Sequence, residues 1–153
     1  MRIVSAAAAI VLLVGCQQAG KVRADHAWVQ LPGVTGRPGS AYFTVHGGAH
    51  PTTLVAVSAP FALRAEMHES MPDLSMHMDH GMEPAMTMAP VKDVTVPAGG
   101  EVKFAPGGKH VMLIDVAPRV QSGDTVPLTL QFADGKKIEV KAKVVGIGEA
   151  EPK

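Results

Sequence analysis

The 153-residue chain has little to cross-link it and no charge bias to steer it. Cys16 is its one cysteine, so no disulfide can close within a single copy and no cluster of thiolates can hold a metal. Lys and Arg number 14, as do Asp and Glu, and the formal net charge is zero with His neutral. Without a basic excess, and with its Lys and Arg scattered, the chain lacks the footprint of a nucleic-acid binder. No apolar run is long. The longest, Ile3 to Val14, has twelve residues, and a spanning helix needs about 20. Aromatics are few, no internal repeat is present, and no apolar pattern follows a helical period.

That short apolar run has another reading. In "MRIVSAAAAIVLLVGC" Arg2 supplies a basic n-region and Ile3–Val14 an h-region of signal-peptide length. Leu13-Val14-Gly15-Cys16 has the form of a bacterial lipobox, in which the cysteine is acylated and becomes the first residue of the mature protein. Residues 1–16 are therefore expected to be a lipoprotein signal, with Cys16 as the lipidation site and residues 17–21 as a linker. The product is exported and held to a membrane by lipid. Gln17 stands where an Asp often retains lipoproteins at the inner membrane, which tilts the expectation toward the outer membrane. Once Cys16 is acylated, no thiol remains for redox exchange.

Gly and Pro are frequent, at 16 and 12. They punctuate short β-type segments: 22–30, 40–47, 52–59, 61–69, 87–99, 101–108, 109–117, 125–133 and 136–146. Asp134-Gly135 reads as a two-residue hairpin turn. "KKIEVKAKV" alternates apolar and charged residues, as a strand with one wet face should. Turn signals every 8–12 residues predict an all-β sandwich over 22–146 and a short tail over 147–153.

The unusual stretch is "MHESMPDLSMHMDHGMEPAMTM", residues 67–88. It holds seven of the nine methionines, three histidines and no Lys or Arg. Five acids from Glu66 to Glu83 would draw in a cation. Thioether sulfur is neutral and soft. It suits Cu(I) and serves Mg²⁺, Ca²⁺ or Zn²⁺ poorly, while imidazole binds Cu(I), Cu(II) and Zn²⁺. A flexible loop can use Met as adaptable surface, but packing does not call for three histidines among seven methionines. Downstream, His110 and Met112 sit at i and i+2. On a strand they share a face about 6–7 Å apart. Trp28 reads as core, and His46 and His50 as solvated turn residues.

Four segments in order, "AEMHES", "MTMAPV", "VPAGGEVKFAPGGKHVMLIDV" and "SGDTVPLTLQFADG", resemble the PCuAC copper chaperones of the bacterial periplasm. The resemblance covers roughly residues 22–145. It implies a cupredoxin-like Greek-key β-sandwich and a copper site made of His, then Met ten residues later, then His-x-Met after 21 more. Carried over position by position, the primary ligands are His68, Met88, His110 and Met112. This chain departs from the pattern in one gap, where nineteen residues rather than ten separate His68 from Met88. The insertion, about 70–86, offers Met71, Met76, His77, Met78, His80, Met82 and Met86 as a second, looser set. Met86 could replace Met88, but the downstream spacing favours Met88.

The resulting expectation is a lipid-anchored metallochaperone for Cu(I), with Cu(II) also within reach of the imidazoles. It is not an enzyme and does not bind nucleic acid. The resemblance implies delivery to the CuA centre of cytochrome c oxidase subunit II or to another copper chaperone. Copper sequestration through the Met/His-rich loop is the alternative. A blue-copper centre is not expected, because it needs a cysteine thiolate.

Overall fold

The computed structural model describes residues 20–72 and 86–152. Cys16, Met76, His77, Met78, His80 and Met82 lie outside the described residues. Ten strands form: β1 Arg23–Gln30, β2 Gly39–His46, β3 Thr52–Ser58, β4 Ala62–Pro72, β5 Met86–Pro90, β6 Val94–Val96, β7 Glu101–Phe104, β8 Lys109–Val116, β9 Thr125–Phe132 and β10 Lys137–Val145. No helix occurs among the described residues.

The hydrogen-bonded order is β5-β4-β8-β2-β1-β10-β9-β3-β6, with β7 continuing the β8 column along β2. The path folds over on itself. β5, β4, β8, β7, β2 and β1 make one layer and β10, β9, β3 and β6 the other, joined through the parallel β1–β10 pair. The core lies between the layers and is built by alternation. In β9, Val126, Leu128, Leu130 and Phe132 point inward, and in β8, Val111 and Leu113 do so. They meet Phe43 and Val45 from β2, Leu54 from β3 and Phe104, which stacks on Phe43 at 4.4 Å. Met67, the first methionine of the rich stretch, is one of these core residues at 6% exposure.

Segment 87–99 is two strands, not one. β5 pairs with β4 in one layer and β6 with β3 in the other. Pro90 cannot donate to a ladder, and the chain crosses between layers at Val91, whose N–H donates to the Met67 carbonyl at 2.8 Å. The last hairpin also differs from expectation. Gly135 N–H donates to the Phe132 carbonyl, Phe132 N–H donates to the Lys136 carbonyl, and Gly135 has φ of 82°. Residues 133–135 therefore form a three-residue loop with Gly at its left-handed position. A two-residue type I′ turn would need positive φ at Asp134 too, and Asp134 does not have it.

Pro127 sits within β9 without breaking it. It faces Lys141 of β10, while β3 pairs only with residues 129–132. The other side of β9 is thus an open edge at Pro127, where a missing N–H is tolerated.

Candidate functional site

β4 and β8 run antiparallel in a register that sets His68 opposite His110, Glu66 opposite Met112 and Met67 opposite Val111. Directly opposed residues share a face. Met67 and Val111 therefore go to the core, and His68, His110, Met112 and Glu66 go to the outer face. The imidazoles of His68 and His110 lie 6.0 Å apart between centroids. β5 completes the arrangement. Met88 is opposite Ser70, two residues from His68 along β4, and so lies on the same outer face, diagonal to His68. All four residues proposed as primary ligands thus sit on one face of three adjoining strands.

The secondary set divides. Met86 shares the Met88 face but is opposite Pro72, two pairs farther from His68. That adds about 7 Å along the strand. Met71 is opposite Thr87 and projects from the other face of the hairpin.

Exposure grades across the site. His110 is 6% exposed and the His68 side chain 13%, whereas Met88 is 56% exposed. His110 Nδ1–H donates to the Gly108 carbonyl at 3.0 Å, leaving its Nε2 as the lone-pair nitrogen. His68 Nε2 lies 3.5 Å from Glu66 Oε2. Its Nδ1 is buried and has no hydrogen-bond partner. A buried imidazole nitrogen left unpaired costs about 1–3 kcal/mol, and a ligand at the site would remove that cost. Ring N–H groups held by a carbonyl or a carboxylate are the arrangement found behind metal-bound histidines. Among the described residues no three His, Cys, Asp or Glu side chains converge as a metal group. The available donors are two imidazoles and two thioethers, a set that favours a soft monovalent ion over Zn²⁺ or Ca²⁺.

The site is a surface patch. A larger hollow of about 500 Å³, lined by Leu31, Pro32, Arg37, Val116 and Pro118, lies at the opposite end of β8.

A second histidine cluster was not legible in the sequence. Asp25 Oδ1 accepts from His46 Nε2 at 2.9 Å and from His26 Nδ1 at 2.8 Å, and Arg23 also contacts this carboxylate. Burial pushes the Asp25 carboxyl up, but the bonds from His46, His26 and Arg23 outweigh it and hold the pKa at about 2. His46 is therefore the half-buried last residue of β2, paired across to Arg23 and Glu101, rather than a solvated turn residue. His26 has φ of 49° at a bulge between Asp25 and Trp28, which lets both side chains reach their partners. Trp28 is buried, in a small outer cluster with Tyr42 and Val145.

Comparison with known proteins follows the same lines. The family model described as "Putative lipoprotein LpqE-like" matches residues 22–144. The "Putative lipoprotein Lxx21020" of Leifsonia xyli subsp. xyli is 27% identical, over 94% of this chain and 89% of its own. A 30% identical match to large ribosomal subunit protein uL3 of Albidiferax ferrireducens covers 71% of this chain and 47% of that protein. Among solved structures, the "Copper-bound PCuAC domain from PmoF2" superposes with a TM-score of 0.63 at 22% identity, covering 84% of this chain and 95% of that domain. "CuI-DR1885 from Deinococcus radiodurans" gives 0.59 at 29% identity, covering 89% and 85%. This chain shares the cupredoxin-like all-β fold with these two solved structures.

Proposed function

This chain belongs to the LpqE-like lipoprotein family and has the fold of PCuAC domains, and from that premise we propose that it is a membrane-tethered carrier of Cu(I). One observation carries the reading. Strand register alone sets His68, His110, Met112 and Met88 on one outer face, with the His68 Nδ1 buried and unpaired. Copper is the cargo. His68 and His110 supply fixed nitrogens from paired strands. Met112 supplies a half-buried sulfur and Met88 an exposed one. Thioethers are weak, exchangeable donors, so an acceptor can displace Met88 first and take the ion in steps. Two solved structures of this fold are copper-bound forms, which supports the choice of metal.

The acceptor is a copper centre of the respiratory chain, the CuA site of cytochrome c oxidase subunit II, or a second copper chaperone. The tether is an acyl group on Cys16, on the outer membrane where the cell has one. No enzymatic role is proposed. The exposed thioethers Met86 and Met71, at 55% and 42% exposure, favour a second reading, sequestration of excess copper. A deletion strain separates the two. A carrier predicts loss of oxidase activity that added copper restores, with ordinary growth on high copper. A sequestering protein predicts copper sensitivity with oxidase intact.

A further inference from the structure

A Cu(I) ion held by two imidazoles and two thioethers keeps its full positive charge, because all four donors are neutral. His68 and His110 are largely out of water, and an uncompensated charge there is costly. Among the described residues one carboxylate lies on the same face. Glu66 is opposite Met112 in register, with Oε2 at 3.5 Å from His68 Nε2 and Oε1 at 3.3 Å from Arg64 Nε. The imidazole and the guanidinium therefore share the carboxylate, one at each oxygen. If His68 Nε2–H is aimed at the carboxylate, its lone pair is on Nδ1, the buried nitrogen that has no partner. His110 has the opposite sense, with Nδ1–H on the Gly108 carbonyl.

We propose that Glu66 is the positioning residue and counter-charge of the copper site, and that Arg64 opposes it. Glu66 holds His68 in the Nε2–H tautomer and offsets the charge of the bound ion. Arg64, paired to the other oxygen, neutralises part of that counter-charge and so loosens the ion. This rests on the copper reading above, and it predicts effects of opposite sign from neighbouring surface residues. Arg64 and Glu66 have side chains 63% and 42% exposed, so neutral substitutions leave the fold intact.

The test uses the full chain purified in detergent, with Glu66→Gln, Arg64→Gln and the double variant. Two readouts are taken: the apo His68 tautomer from imidazole nitrogen NMR at pH 8, and the Cu(I) dissociation constant by anaerobic chelator competition. The wild type is expected to carry its His68 proton on Nε2. Glu66→Gln is expected to weaken Cu(I) binding about tenfold, the lower end for loss of a group that orients a metal ligand. Arg64→Gln is expected to tighten it severalfold, and to have no effect in the Glu66→Gln background. Tight wild-type binding with both single variants unchanged, or shifted in the same direction, overturns the inference and leaves the copper reading standing. A wild type that does not bind Cu(I) removes both the copper reading and the counter-charge role. A His68 proton on Nδ1 overturns the positioning role on its own.

Discussion

Met88 and Met86 lie two residues apart on one face of β5, and the register gives them different reach. Met88 is diagonal to His68, and Met86 is a further two residues toward the end of the hairpin. Met88→Ala is expected to weaken Cu(I) binding about tenfold or more, on the scale of disturbing a metal ligand, and Met86→Ala to change it far less. Equal losses in a competition titration would contradict the assignment. Asp25 supports a different prediction. Its folded pKa of about 2 lies below the ordinary 3.8, so its bonds stabilise the fold at pH values above the unfolded pKa. That contribution is lost as pH falls from about 4 through about 2. Asp25→Asn should lower Tm at pH 7, and the gap from wild type should close by pH 2. A gap independent of pH would rule out the ionised Asp25 as its cause. Methionine and histidine content made a soft-metal site an expectation of the sequence. Glu66 and the Asp25–His46 pair were not legible, because partners on different strands are known only once the register is known.

β8 is the element on which the site depends, and its two faces do different work. His110 and Met112 face outward, while Val111 and Leu113 are fully buried. Leu113→Ala is expected to cost about 2–5 kcal/mol of stability and to leave Cu(I) affinity near wild type while the protein is folded. A large affinity loss at full folding would show that the faces are not separable. Most strands could be read from β-type residues between Gly and Pro. The i, i+2 placement of His110 and Met112 follows from strand geometry alone. Two features differ from the sequence expectation for local reasons. The 87–99 segment reads as continuous because nothing in its pattern marks a layer crossing, and only the partners of β5 and β6 reveal it. Asp134-Gly135 suits more than one turn, and the Phe132–Lys136 bond selects the three-residue loop.

At the scale of the whole molecule, the first described strand begins at Arg23, seven residues after Cys16. β1 enters paired with His46. By register, the Pro72–Met86 pair lies near that same level of the sheet. The membrane-extracted protein is expected to have the mass of the chain from Cys16 onward plus its acyl groups. A mass without acylation would remove the tether. Zero net charge means that the chain as a whole exerts no net long-range attraction on a charged partner. The central claim is that one outer face of β4, β5 and β8 holds one copper. It is tested most directly by anaerobic Cu(I) titration against a chromophoric chelator, comparing wild type with the His110→Ala/Met112→Ala double variant. The account predicts one tightly held Cu(I) per wild-type chain, lost in the double variant while the fold persists. No tight Cu(I) in the wild type, or tight binding that survives the double substitution, would contradict it.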